Sequence, residues 1–392
     1  MSSSSRVSTW LDNIPISMDD MPVSVENSRQ KQSRSGKKGT FEVDLPQRSM
    51  PATYSASTDG SRSPSQQLAD TQLSDTPIVL VSLTPTNVPP QMQALFEDVQ
   101  EISQGVKIIP RSVESKMNEI GVNVREIQFA DEEQEFQTSE PGILDPLAFW
   151  ERVYEIQGIA AECGERGVSK ATWNSEVHSS LLRLALQCHY RAKGTWYQDM
   201  TSARISDKTL LPFTKVATNQ SKLLDYALVI DWNEGLKRRI IRRLNDDPTP
   251  PSGQVKSINC TSTNYIRFSP IAIIIKAKRP DSHVSADLHL GTWAIAHLRK
   301  LMRLTNNNNP ADLPVLPMVF INGHEWYLMF ARLTTSELKI FGRVQIGDTW
   351  ELKGTYKIIA SIRRLAQWIE EDYRPWFEES VLSDRGELDD AT

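Results

Sequence analysis

The stretch SPIAIIIKAK, residues 269–278, continued by Arg279 and Pro280, decides the architecture. It is a short, β-branched apolar run, too brief for a helix and without the alternation of a half-exposed strand. A strand buried on both faces accounts for it. Strand geometry places Lys276 and Lys278 on one face, because successive side chains alternate. A second run of this kind, LLDYALVI at residues 223–230, precedes it and carries one carboxylate, Asp225, among apolar neighbours.

Working outward, Glu234–Leu244 between the two runs is a strongly basic helix, and Ser285–Leu304 is a long amphipathic one. Val315–Ile321, Trp326–Leu333 and Leu338–Ile346 read as strands, the first two divided by a turn at Asn322-Gly323. Leu352–Phe377 closes the domain as a helix, with Ile358, Ile359, Ile362, Leu365, Trp368 and Ile369 at i, i+3, i+4 spacing. Upstream, helical periodicity covers Gln91–Gln104 and Asn174–Cys188. It also covers Asp145–Arg166, with Asp145 as the cap and Pro146 at the first position. Helices before a sheet, a helix between buried strands, then more strands and a final helix predict an α/β sandwich.

The 392 residues divide unevenly. Residues 1–90 are rich in Ser, Thr, Pro, Asp and Gln and lack clustered apolar residues, so a disordered tail is expected there. Within it, Arg29, Lys31, Arg34, Lys37 and Lys38 form a loose basic cluster, either a nuclear import signal or ordinary tail charge. Trp10 and Leu11 are isolated apolar residues. Residues 91–382 are expected to form one domain, and residues 383–392 an acidic tail. The three cysteines, Cys163, Cys188 and Cys260, are widely spaced and fit neither a disulfide framework nor a zinc site. With no signal-peptide pattern and no long apolar run, the expectation is an intracellular protein, nuclear or cytoplasmic, with no membrane partner. The net charge of -5 argues against an all-over basic surface but leaves room for a local basic groove. Phosphate-loop, dinucleotide-fold, HExxH and GxSxG signatures are absent from the sequence.

Six blocks in order carry a resemblance: WNSEVHSSLL, LLDYAL, PIAIIIKAKRP, ADLHLGTWAIA, LPVLP with INGHEW, and GTYKIIASIRRLAQWIEEDYRPWF. Together they resemble the PD-(D/E)XK nuclease-like domain known mainly from fungal proteins, across roughly residues 90–380. The resemblance implies a restriction-endonuclease-like mixed sheet flanked by helices and an ancestral Mg²⁺-dependent hydrolysis of nucleic-acid phosphodiesters. In such a site, carboxylates hold a divalent metal that activates water, and a lysine stabilises the developing negative charge.

Carried over by position, Glu176 matches the family's helix acid and Asp225 its strand acid, together the expected metal ligands. Lys278 matches the motif lysine, so Asp225, Lys278 and Glu176 are the candidate catalytic residues. The acid of the acid-x-Lys pair falls on Lys276. That exchange of a negative for a positive group at a few ångströms costs several kcal/mol of metal binding at intermediate dielectric. Weak Mg²⁺ binding and impaired cleavage are therefore expected. The family's usual Gln is replaced by His289.

Ordinary readings stand beside these. Glu176 suits the first turn of a helix on dipole grounds, and Lys278 suits a strand end emerging into water. His324 and Trp326 suit turn geometry and packing, and Gly291 suits a close helix contact. For phosphate contact the candidates are Lys237, Arg238, Arg239, Arg242 and Arg243, five basic residues in seven, with His289. Their alternative is a solvated helix face. The functional expectation is an impaired nuclease. Its alternative is a non-catalytic nucleic-acid-binding or protein-interaction module reusing the fold.

Overall fold

Ile271–Lys278 forms a strand, β4, buried over all but its last residue. Its neighbours explain why the run is apolar on both sides: strands flank it and helices cover it. A computed structural model describes residues 69, 71–130, 145–187, 189–213, 223–231, 233–246, 255–279 and 286–383.

The described strands are β1 (Ile78–Ser82), β2 (Thr195–Asp199), β3 (Tyr226–Ile230), β4, β5 (Leu316–Asn322), β6 (Glu325–Leu333) and β7 (Leu338–Asp348). They form one sheet in the order β1-β7-β6-β5-β4-β3-β2. β1 runs parallel to β7 and β4 parallel to β5, and the other pairings are antiparallel. This is the restriction-endonuclease-like mixed sheet that the resemblance implied.

The helices are α1 (Gln93–Gln104), α2 (Glu114–Glu119), α3 (Pro146–Glu165), α4 (Lys170–Thr172), α5 (Ser179–Leu186), α6 (His189–Lys193), α7 (Glu234–Asn245), α8 (Ala286–Thr305), α9 (Leu352–Trp368) and α10 (Arg374–Ser380). A π-helical segment, Trp173–His178, joins α4 to α5. Another, Ile369–Tyr373, joins α9 to α10 and accounts for the long closing helix read from the sequence. α1 and α5 each pack on α9, with α1 and α9 also against β7, while α8 packs on β4 and crosses toward β7. Asp145 caps α3 as expected, accepting from the amides of Leu147 and Ala148 at 2.9 and 3.1 Å.

Two features of the sheet escaped the sequence reading. The disordered-tail boundary at residue 90 is too late, because Ile78–Ser82 is β1 and adds a parallel edge to β7. Its five-residue run, IVLVS, is diluted in the Ser/Thr/Pro-rich surroundings, and its partner strand lies far along the chain. Gly291 of α8 lets Ile78 come close: a Cβ there would sit 2.7 Å from Cδ1 of Ile78. β2, TWYQD, is short, half-exposed and without a clean apolar alternation, so only its pairing with β3 identifies it. Residues 1–68 and 384–392 lie outside the described residues, and with them the basic tail cluster, Trp10 and Leu11 and the acidic C-terminal tail. Among the described residues, no helix is long and apolar enough to cross a membrane.

Candidate functional site

Asp225 precedes β3, and its amide donates to the Ile275 carbonyl at 3.0 Å, extending the ladder to β4 by one rung. Its side chain is wholly removed from solvent. A buried carboxylate is costly unless its oxygens are satisfied, and here both are. Oδ1 accepts from the Lys170 ammonium and, at 3.1 Å, from the Asn174 amide. Oδ2 accepts from the Ala277 backbone amide at 2.9 Å and lies 3.0 Å from Nζ of Lys276. Four donors thus fill the acceptor sites a carboxylate offers.

Lys276 is itself buried, and its ammonium also donates to the Leu223 carbonyl at 2.7 Å. Burial pushes Asp225 toward the neutral acid, yet Lys276 and Lys170, with the hydrogen bonds from Lys170 and Ala277, hold it below its ordinary range. Burial and the neighbouring Lys170 pull the Lys276 ammonium downward against the attraction of Asp225.

The helix supplies Lys170, Asn174 and His178 at i, i+4 and i+8, one stripe turned toward the sheet. Ser169 caps the start of this stripe, accepting from the Thr172 amide at 3.2 Å. Asn174 couples two neighbours: its amide donates to Asp225, and its Oδ1 lies 3.1 Å from Nδ1 of His178. His178 Nε2 lies 3.3 Å from the Gly323 carbonyl in the β5–β6 turn. Burial holds His178 down to about 4, against the pull of that carbonyl and of Asp225, so it is neutral at pH 7. Tyr226 locks the segment from below, donating to the Asn174 carbonyl at 2.7 Å. Behind it, His324 stacks on Trp350 with ring centroids 3.5 Å apart and meets the edge of Trp173 at 4.8 Å.

The structure brings together Asp225, Lys276 and the end of β4 that carries Lys278. Lys278 is half-buried, and its carbonyl accepts from the Gly323 amide at 3.0 Å. It does not bring Glu176 to Asp225. Glu176 is exposed and accepts from its neighbour Ser175 at 3.1 Å. Two positions from Asn174, it falls on the far side of the helix, and Asn174 reaches the carboxylate instead. His289 is half-buried in the first turn of α8, outside the groups on Asp225.

The basic helix α7 starts beyond the opposite end of β3 from Asp225, and much of its charge is used structurally. Arg239 pairs with Glu378 at 2.6 Å, and Arg243 donates to the Leu304 carbonyl through Nε at 3.2 Å. Lys237 lies 3.8 Å from Glu234, and Arg238 donates to the Glu234 carbonyl at 3.2 Å. Arg238 and Arg242 remain exposed.

Sequence reasoning missed Lys170, Asn174 and His178. The signal was present as a polar i, i+4, i+8 series behind a serine cap, but it is hidden when the helix is started at Asn174.

The family model for the PD-(D/E)XK nuclease superfamily matches residues 119–374. This chain belongs to that superfamily. No curated protein matches it. Lys276, where the resemblance led one to expect the acid of the acid-x-Lys pair, pairs with Asp225 instead. Superfamily members usually use divalent metals, but these donors do not fit one. Among the described residues, no group of three or more His, Cys, Asp or Glu side chains could hold a metal ion. A dication approaching Asp225 would meet two ammonium groups, a repulsion on the order of several kcal/mol at an effective dielectric near 20.

Proposed function

We propose that this protein is a nuclease-fold nucleic-acid-binding protein that has lost metal-dependent phosphodiester hydrolysis. One observation carries the reading: each oxygen of Asp225 already holds a lysine ammonium, Lys170 on Oδ1 and Lys276 on Oδ2. The cluster carries one negative and two positive charges, so its net charge is opposite to that of a metal-receiving site. No hydrolytic step is routed through Mg²⁺ here, because no described donor set would hold it. Lys170 and Lys276 instead do structurally what the cation does in an active relative, neutralising a carboxylate that would otherwise be buried alone. Membership of the nuclease superfamily and the exposed basic residues of α7 support nucleic acid as the partner.

The test is a calorimetric titration of the purified chain with MnCl₂ and MgCl₂, alongside incubation with plasmid and with single-stranded DNA and RNA. The expected result is no saturable metal binding and cleavage at background, with nucleic acid retained in a salt-sensitive complex. Metal-dependent cleavage by the unaltered chain that disappears in Asp225→Asn would overturn the reading.

A further inference from the structure

A polar cleft opens away from Asp225, between the C-terminal turns of α8, the end of α7 and the loops at residues 206–210 and 255–262. Lys256, Lys300 and Arg303 line it, and Asp207 is the acidic residue among the described lining residues. Asp207 is internally satisfied. Its Oδ1 accepts from the Thr209 amide and hydroxyl at 2.9 and 2.6 Å, and its Oδ2 from Arg303 at 2.7 Å. Arg303 pairs with Asp207, and Lys256 and Lys300 add two further positive charges to the described lining.

The walls are fixed in advance. Asn259 donates to the carbonyls of Ile266 and Ser269 at 2.7 and 2.9 Å and accepts from the Ile271 amide at 2.9 Å, tying the 255–262 loop to the start of β4. Ser206 accepts from the Ser262 amide at 2.7 Å, joining the two loops across the cleft. Lys256 donates to the carbonyl of Asn245, the last residue of α7, at 3.2 Å. From there the exposed Arg242 and Arg238, one and two turns back, continue the basic surface along the helix.

We propose that this cleft is a phosphate-binding site that takes the backbone of a nucleic acid, with Lys256 and Lys300 as the contacting cations and Arg238 and Arg242 extending the track. Hydroxyl-rich, cation-lined and pre-organised walls suit a phosphodiester, which offers acceptor oxygens and one charge per residue. Asn259 in the cleft wall accepts from the amide of Ile271, five residues before Lys276 on β4, a separation of about 16 Å at 3.3 Å per residue. Contact at the cleft is therefore separate from the superfamily's catalytic position. The identity of the ligand rests on the nucleic-acid reading above, whereas the location rests on the cleft itself.

The experiment measures anisotropy of a short fluorescein-labelled DNA duplex with the full chain across a salt series. The Lys256→Gln/Lys300→Gln double variant is expected to bind about tenfold or more weakly at low salt, with a salt slope smaller by about one per lysine. Lys339→Gln, on β7 and paired with Glu337, serves as the control and should leave binding unchanged. A second measurement needs no variant: bound duplex should protect Lys256 and Lys300 of the unaltered chain from acetylation, read by mass spectrometry. Duplex binding that is unaffected in the double variant, with no protection of either lysine, overturns the cleft and leaves the nucleic-acid reading standing. Absence of duplex binding by the unaltered chain at low salt overturns the nucleic-acid reading. Saturation of the cleft by inorganic phosphate without any duplex binding would make it a small-anion site and overturn the proposal as stated.

Discussion

The carboxylate of Asp225 and the ammonium of Lys276 lie 3.0 Å apart, both out of water, at the antiparallel junction of β3 and β4. Lys170 meets the same carboxylate from the helix, but 37% of its side-chain surface is exposed, against 4% for Lys276. That difference ranks the three groups energetically. Removing one member of a buried pair strands its partner in low dielectric, which costs about 3–5 kcal/mol, whereas a half-exposed partner retains hydration. Asp225→Asn, which strands two ammoniums, should cost about 3–5 kcal/mol. Lys276→Gln should cost somewhat less, because Lys170 still serves the carboxylate, and Lys170→Gln should cost about 1 kcal/mol or less. Urea unfolding of the three variants checks the order, and a Lys170→Gln loss equal to that of Asp225→Asn would contradict it.

Lys276→Glu tests the proposed absence of metal binding from the opposite direction. The substitution converts the cluster from two cations and one anion to one cation and two anions. Without metal, two carboxylates facing each other should lower the melting temperature relative to the unaltered chain. Adding Mn²⁺ should raise it again by mass action, since the ion binds only the folded arrangement. The unaltered chain should not respond. Recovery of cleavage needs more than metal, because Glu176 faces away from the cluster and Asn174 takes its place. An equal thermal response of both proteins to Mn²⁺ would place the metal elsewhere.

The sheet interior was legible in sequence because periodicity reports burial, and β3 and β4 are buried on every side that side chains can face. The lysine at position 276 was equally legible, since strand alternation alone puts it on the face of Lys278. What could not be read was the partner of each charge. Lys170 is separated from Asp225 by 55 positions, and only the tertiary fold closes that distance. Glu176 shows the same limit. Its place in the resemblance was clear, but tertiary packing decides which side of the helix meets Asp225, and two positions from Asn174 it lies on the other side. The arginines of α7 were visible as a run, and their division into tertiary ties and exposed groups was not.

Gly291 supplies a prediction about the edge strand that the sequence concealed. Alanine there would gain about 1 kcal/mol in helix propensity but bring its Cβ to 2.7 Å from Ile78 Cδ1 and 3.2 Å from Ile340 Cδ1. These are the ends of flexible side chains, so Gly291→Ala should stay within about 1 kcal/mol of the unaltered protein. Valine adds branches to the same contact, and Gly291→Val should cost about 2–3 kcal/mol. Hydrogen exchange locates the damage: amides of Ile78–Ser82 should lose protection before those of β4. Uniform loss across the sheet would mean that α8, rather than β1, had been displaced.

His297 sets the acid limit of the fold. It is buried in α8, its Nε2 donates to the Ile271 carbonyl at 2.9 Å, and its Nδ1 is enclosed without a hydrogen-bond partner among the described residues. Burial, the dominant cause, lowers its pKa from 6.5 to about 4, against the raising effect of the Ile271 carbonyl. The unfolded chain therefore binds this proton at a higher pH than the folded one. Stability from this group is fully present above pH 6.5 and falls as pH drops through the window toward 4, by about 3 kcal/mol in all. His178 adds a loss of the same sign over the same window, since burial also holds it at about 4. Urea unfolding at pH 7 and pH 5 should show the decline. His297→Gln can still donate to Ile271 and does not titrate, so its stability should change less between the two pH values than that of the unaltered chain. An identical decline in the variant would assign the acid sensitivity to His178 or to the carboxylates instead.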